Sequence, residues 1–316
     1  MTDPGSRFGA TTTAQEILTG LDLRGRRAVV TGGSSGIGAE TARALAWAGA
    51  RVTIAVRNGA AGAAAATRIQ QSTGRSVDVA LLDLASLASI DSFVSSWVGP
   101  LDILVNNAGV MATPFAHTAQ GWELQFGTNY LGHFALATGL VDSLAAAGHA
   151  RVVSVSSVGH INGGVDFADP DFERRPYDPW RAYSQSKTAN ILFAVEAARR
   201  WAGQGTAVNA LNPGRIAGTN LTRHLAPAPE GFDTAGVTGV SVKNVEQGAA
   251  TSVLLAASPL VHGVTGMYFE DCQLAGPHVE GVRRGVADYA MDVADAERLW
   301  QMSESRIRAA RASREV

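Results

Sequence analysis

The chain has 316 residues, with 26 Lys and Arg against 28 Asp and Glu, so its net charge of −2 excludes the basic field that nucleic acid or an anionic membrane requires. Its 46% hydrophobic content can bury a full core, which excludes a disordered chain, and its one cysteine, Cys272, excludes an intramolecular disulfide and a multi-thiolate metal site. The 35 glycines are about 11% of the chain against a background of about 7%, which implies many sharp turns or close backbone approaches.

The first 13 residues are polar and lack the basic start and apolar stretch of a secretory signal. No apolar run reaches the roughly 18 residues of a membrane span, and the expected compartment is the cytoplasm. Seven short apolar runs read as strands: 27–31, 51–56, 77–82, 101–105, 151–156, 207–211 and 265–269. They are nearly continuous rather than alternating, as parallel strands covered on both faces should be. Helical, Ala-rich stretches lie between them, for example 39–48 and 182–201. This alternation predicts an α/β fold: a doubly wound Rossmann sheet of about seven parallel strands with helices on both faces. Residues 27–272 read as one catalytic domain, 1–26 as an extension and 273–316 as a tail. The tail carries a capped amphipathic helix from Asp292 that packs through Leu299 and Trp300 and frays after residue 308. Two long segments, 158–181 and 214–239, interrupt the pattern at strand ends, where open α/β sheets bind ligands.

The first strand runs into Thr31-Gly-Gly-Ser-Ser-Gly-Ile-Gly38 and then a helix. Glycines at 32, 36 and 38 would allow a tight turn, a bare backbone beside a pyrophosphate and close helix–strand packing. The helix N-terminus would offer free N–H groups to phosphate. Alone, such a loop is an ordinary βα turn; the strand before it and the helix after it give it weight. The second strand ends in Val56-Arg57-Asn58, with no acidic residue for a ribose 2′-hydroxyl. Arg57 could meet a 2′-phosphate instead, which favours NADP(H) over NAD(H); a solvated surface arginine is the plainer alternative.

Seven motifs in order make the chain resemble the short-chain dehydrogenase/reductase family. They are the glycine loop, Asp83, Asn106-Asn-Ala-Gly109, Asn129, Ser156-Ser157, Tyr183-Ser-Gln-Ser-Lys187 and Asn212-Pro-Gly214. The wording of 183–193, the long insertion before it and Phe269-Glu-Asp-Cys272 are most similar to the retinol-dehydrogenase and WW-domain oxidoreductase branch, without a WW domain. The resemblance implies an oxidoreductase that interconverts a carbonyl and an alcohol, with Asn129, Ser157, Tyr183 and Lys187 as catalytic set. Tyr183 and Lys187 are four apart on a predicted helix and so share a side. The lysine ammonium should lower the tyrosine pKa from near 10 towards neutral, where it can act as acid and base. Ser157 would orient the substrate oxygen, although 26 positions separate it from Tyr183 and the segment between must fold back. Asn129 would sit at a helix irregularity and hold a water linking Lys187 to solvent.

The resemblance also places the dinucleotide on Gly32, Ser34, Ser35, Gly36, Ile37 and Gly38, on Arg57 and Asn58, and on Asp83 and Leu84 at the adenine. Asn106, Ala108 and Gly109 follow near the ribose, Tyr183 and Lys187 at the nicotinamide end, and Pro213, Gly214, Ile216 and Thr219 over the nicotinamide. Asp83 could instead be the N-cap of the next helix. No two of His133, His160 and His224 share a metal-ligand spacing, so no metal is expected. His133 reads as a packed helix residue, His160 and Trp180 as lining the substrate mouth, and Cys272 as a buried small residue. Phe167, Phe172, Tyr177, Trp180, Leu221, Leu225 and Phe232 in the long segments suggest a moderately large apolar small-molecule substrate. The resemblance admits a homo-oligomer without fixing one. Two other functions compete: a non-catalytic dinucleotide-binding sensor or scaffold, which would often have lost the tyrosine or lysine, and a sugar-nucleotide epimerase, whose glycine spacing differs.

Overall fold

The structure is a computed structural model that describes residues 7–216, 221 and 239–314. In chain order, α1 (Ala14–Leu18) precedes β1 (Arg27–Thr31), α2 (Gly36–Trp47), β2 (Arg51–Val56), α3 (Gly59–Thr73), β3 (Asp78–Leu81) and α4 (Leu87–Ser96). Next come β4 (Ile103–Asn106), α5 (Leu124–Phe126), a π-helical turn at Gly127–Leu131, α6 (Gly132–Gly139), α7 (Val141–Ala147) and β5 (Arg151–Val155). A 3-10 turn at Val158–Asn162 leads towards α8 (Pro179–Trp201) and β6 (Ala207–Asn212). The chain continues through β7 (Arg215–Ile216), β8 (Val242–Lys243), α9 (Val245–Gly248), α10 (Ala250–Ala257), β9 (Tyr268–Glu270), β10 (Gln273–Leu274) and α11 (Val293–Ala312).

Eight strands form one sheet in the order β10-β9-β6-β5-β4-β1-β2-β3. All neighbours are parallel except β10, which returns antiparallel along β9. The mostly parallel Rossmann-like sheet is therefore present. Its last parallel strand starts three residues later than the sequence suggested, and the antiparallel eighth strand was not foreseen. From β1 the chain winds outward to β3 and then returns to place β4 on the other side of β1. The carboxyl ends of β1 and β4 thus form a switch point, where the connections diverge and leave a crevice.

Each face of the sheet carries its own core. One is built from α4, α6, α8 and α11, with Phe134, Phe193, Trp201 and Trp300 in mutual edge and stacking contact. The other joins α1, α2 and α10, and buries Ala14, Ile17 and Leu18. The expected N-terminal extension is therefore woven into a core. The tail helix begins at the Asp292 cap as expected and buries Leu299 and Trp300. It does not fray after residue 308: the helix runs to Ala312, and Arg311 and Arg314 both pair with Asp91 of α4. Among the described residues no helix is long and apolar enough to cross a membrane.

Candidate active site

The glycine loop leaves β1 with Gly32 at φ +69°, a left-handed conformation that side chains rarely adopt. A Cβ there would lie 2.9 Å from the Cα of Ala108, so the loop and the 106–109 segment touch backbone to backbone. At Gly38 a Cβ would overlap the Asn107 side-chain amide and come within 2.6 Å of the Gly32 carbonyl. Two groups here invite a ligand. Ser35 at the N-cap of α2 makes no side-chain cap hydrogen bond, so the first N–H groups of that twelve-residue helix are not capped by it. Asn106, at the end of β4, is buried with neither atom of its side-chain amide in a protein hydrogen bond. The residues present fit a dinucleotide: bare backbone, an open helix N-terminus and an unsatisfied amide, all at the switch point.

The other dinucleotide candidates divide. Asn107 donates from its side chain to the Thr31 carbonyl (2.8 Å), so this asparagine braces the sheet. Asn58 caps α3, accepting from Ala61 N, and Arg57 beside it is exposed. Arg68 of α3, which the sequence reading missed, donates to the Ser34 carbonyl (3.2 Å) and reaches the glycine loop from the same side. Asp83 is not a helix cap: it accepts from Ala85 N, while Ser86 caps α4. Leu84 is buried in the core beneath Gly132. Ile37 and Ile216 converge on Gly248. Gly214 at φ +93° passes over Lys243, and Pro213 lies beside it. Thr219, Leu225, Phe232 and His224 lie outside the described residues.

Helix α8 carries the tyrosine and the lysine. It starts cleanly because Asp178 accepts from the N–H groups of Trp180 and Arg181 (2.8 Å each), with Pro179 in the first turn. Side chains then stitch it to β5. Ser154 Oγ donates to the Asn190 carbonyl (2.9 Å) and Ser156 Oγ to the Lys187 carbonyl (2.7 Å). These bonds fix the register of helix on strand. Ser156 is thereby used up structurally, and Ser157 faces Tyr183, as the alternation along a strand end requires. The 26-residue gap is closed by the 3-10 turn. There Ser157 Oγ accepts from Gly159 N (3.0 Å), and Gly159 lets the tyrosine ring seat against it; a Cβ would lie 3.0 Å from the ring edge. Lys187 Nζ donates to the Val155 carbonyl (3.0 Å) and stands 5.7 Å from the centre of the Tyr183 ring. Asn129 sits in the π-helical turn, where its side chain accepts from Val110 N (2.8 Å) and donates to Ser186 Oγ (2.9 Å). Gly109 lies between Asn129 and Lys187, and a Cβ on it would be 3.2 Å from Asn129 Oδ1 and 3.7 Å from Lys187 Nζ. Asn129, Ser157, Tyr183 and Lys187 therefore meet at one place, beside the 106–109 segment.

The electrostatics correct one expectation. Burial pushes the Tyr183 phenol up to about 12, opposed by its bond with Ser157, and pulls the Lys187 ammonium down to about 8. The ammonium lies over the ring and is bonded to a carbonyl, and burial dominates the shift of the phenol. Burial therefore favours the neutral phenol.

The insertion is tied down rather than open. Asp169 accepts from three successive backbone N–H groups, of residues 173–175, and Arg175 stacks on Phe172. Phe172 is buried, and Tyr177 donates to the Thr113 carbonyl (3.0 Å); these two hold the segment in place. Phe167 lies under Arg298 of α11. Trp180 is 48% exposed, with its ring centre 6.4 Å from that of Tyr183. His160, expected at the mouth, is fully buried, its Nδ1–H bonded to the Ser157 carbonyl (2.7 Å) and its Nε2 accepting from Ala287 N (3.2 Å). Cys272 is buried as expected, which raises its thiol pKa. Sequence reasoning missed Glu123, fully buried and accepting from the N–H groups of Gln125 and Phe126, and the Arg306–Asp171 pair that ties α11 to the insertion. No local pattern marks these residues, because their partners are distant in the chain.

Burial also holds His133 and His160 at about 4, against an ordinary 6.5. Between these values the unfolded chain binds protons that the fold does not, so stability falls as pH drops through that window and is fully restored above it. The expected loss is roughly 2 kcal/mol for each histidine on going from pH 7.5 to 5. Urea unfolding at the two pH values measures it; equal stabilities would contradict the burial of two neutral imidazoles.

The sequence matches the short chain dehydrogenase family over residues 26–230. The chain belongs to that family. It is 53% identical over 295 residues to a probable oxidoreductase of Streptomyces lividans, covering 89% of this chain and 97% of that protein. It is 40% identical to retinol dehydrogenase 12 of Homo sapiens, covering 90% and 87% of the two chains. A solved gluconate 5-dehydrogenase from Burkholderia cenocepacia, in complex with NADP and tartrate, superposes with a TM-score of 0.64 at 27% identity, covering 80% of this short-chain dehydrogenase and 95% of that chain. The family sets the class of chemistry of this short-chain dehydrogenase as NAD(P)-dependent oxidoreduction of a small molecule.

Proposed function

We propose that this short-chain dehydrogenase interconverts a carbonyl and an alcohol on a moderately large apolar substrate, with NADP(H) preferred over NAD(H). The observation that carries this reading is the convergence of Tyr183, Ser157, Lys187 and Asn129 beside the glycine loop, with the tyrosine kept protonated. When bound, the dinucleotide supplies or accepts the hydride at its nicotinamide. Ser157 holds the substrate oxygen by a hydrogen bond, and Tyr183 passes its phenolic proton to that oxygen in reduction or takes it back in oxidation. Lys187 steadies the charge left on the phenol and would hold the ribose hydroxyls. Asn129 links Lys187 towards solvent through a water. The catalytic unit spans residues 27–272, with the tail helix packed on it.

The pyrophosphate would lie on residues 32–38, the ribose near Asn106, Ala108 and Gly109, and the adenine near Asp83. Arg57 supports the NADP(H) preference: it is exposed at the end of β2, where no carboxylate stands to receive a 2′-hydroxyl. The exposed Trp180 at the mouth supports an apolar substrate. NADPH and NADH oxidation against a panel of apolar and polar carbonyls tests both points. We expect kcat/KM at least about tenfold higher with NADPH, and a loss of about tenfold in Arg57→Asp with NADPH only. Equal use of the two cofactors by the unaltered protein would remove the preference, and activity confined to small polar sugars would remove the apolar substrate.

A further inference from the structure

His133 is buried at 3% exposure in the first turn of α6, two residues after the π-helical turn, and neither ring nitrogen is idle. Its Nδ1 lies 2.9 Å from the Asn129 carbonyl and its Nε2 lies 2.9 Å from Thr31 Oγ1. A carbonyl can only accept, so Nδ1 carries the hydrogen and Nε2 is an acceptor, nearer to the Thr31 hydroxyl (2.9 Å) than that hydroxyl's other acceptor, the Val105 carbonyl (3.3 Å). That hydroxyl already accepts from the backbone N–H groups of Asn107 (2.9 Å) and Ala108 (3.0 Å). One imidazole therefore joins three segments. The first is the turn carrying Asn129, the second is the end of β1 that opens the glycine loop, and the third is the segment 106–109 beneath the ribose position.

The turn needs such a brace. Gly132 N bonds back to the Gly127 carbonyl, five residues away, a π-helical ladder that is rare and persists only where side chains over-determine it. The Asn129 side chain is held by Val110 and Ser186. Its carbonyl is held by His133. An apolar residue of similar volume would fill the space but leave both the carbonyl and the Thr31 hydroxyl buried without this partner.

We propose that His133 is a positioning residue, which locks the Asn129 turn to Thr31 and so keeps the proton-handling side chains in register with the dinucleotide loop. The inference rests on the catalytic reading of Asn129 given above. Its first consequence does not depend on activity: in the full-length, ligand-free protein the His133 ring is the neutral Nδ1–H tautomer. Nitrogen-15 NMR of histidine-labelled protein at pH 7 reads this directly, and an Nε2–H tautomer or an imidazolium overturns the proposal.

The second consequence is kinetic. His133→Leu is expected to lower kcat about tenfold or more with KM for the carbonyl within about twofold, and to weaken NADPH binding about threefold. His133→Asn can still present an N–H to the carbonyl four residues back but cannot reach Thr31. It should recover most of kcat and none of the NADPH affinity. A variant pair that melts lower yet keeps kcat and NADPH affinity, or that changes KM alone, assigns His133 to packing only and overturns the proposal. If His133→Leu does not fold, His133→Asn and the tautomer decide it. Failure of the catalytic reading shows separately, as full turnover in Tyr183→Phe.

Discussion

Tyr183→Phe is expected to lower kcat by about 10²–10⁴ while leaving the fold and NADPH affinity nearly unchanged. The substitution removes one oxygen and keeps the ring. The seat against Gly159 and the edge contact with Trp180 survive, because both are made by ring carbons. What disappears is the proton that must reach the substrate oxygen as hydride reaches carbon. Ser157 stays in place, since its hydroxyl is also held by the Gly159 N–H, and continues to hold the substrate. The effect therefore falls on kcat rather than on KM. Stopped or steady-state NADPH oxidation with the best carbonyl of the panel, together with titration of NADPH by its fluorescence, measures both quantities. Full turnover would remove Tyr183 from the mechanism, whereas NADPH binding by the unaltered protein with no turnover of any carbonyl would favour the sensor function. Loss of NADPH affinity along with turnover would instead assign the phenol to the shape of the site.

Gly38→Ala is the second large effect. The new Cβ would sit against the Asn107 side-chain amide and 2.6 Å from the Gly32 carbonyl, and one of these is backbone that cannot step aside. To make room, α2 must move away from the loop that precedes it. Overpacking of this kind costs about 1–3 kcal/mol of stability. The cost in binding should be larger in proportion, because the same shift takes the N–H groups of α2 away from the pyrophosphate position and disturbs the Asn107–Thr31 bond. We expect NADPH affinity to fall by at least about thirtyfold, roughly 2 kcal/mol, read by calorimetry, with a lower midpoint in urea. Unchanged affinity would place the pyrophosphate elsewhere than at the 32–38 loop.

Much of this protein is legible in the chain because its signals are local. Strands covered on both faces need continuous apolar runs, so six of the seven were found within two residues at either end. Tyr183 and Lys187 share a helix face by spacing alone; strand alternation separates Ser156 from Ser157, and the family pattern that puts the serine second selects Ser157, which faces Tyr183. The antiparallel return of residues 273–274 was not legible: two residues are too few for a pattern, and only the open edge of β9 gives them a place. His160 read as a mouth residue because it lies in the insertion, but that segment folds inward and buries it.

The sequence by itself determined the family, the doubly wound sheet and the candidate side chains of the site, because these depend on periodicity and short spacings that survive without a fold. Only the tertiary structure decided their physical state. Burial moves Tyr183 upward and Lys187 downward, against the expectation drawn from the charge of a neighbouring lysine, since desolvation depends on everything packed around a group and not on the residue four positions away. The same holds for His133. In the sequence it is one histidine on an apolar helix; in the fold it lies between Asn129 and Thr31, 102 positions from the latter, and joins two parts of the site that no spacing could have connected.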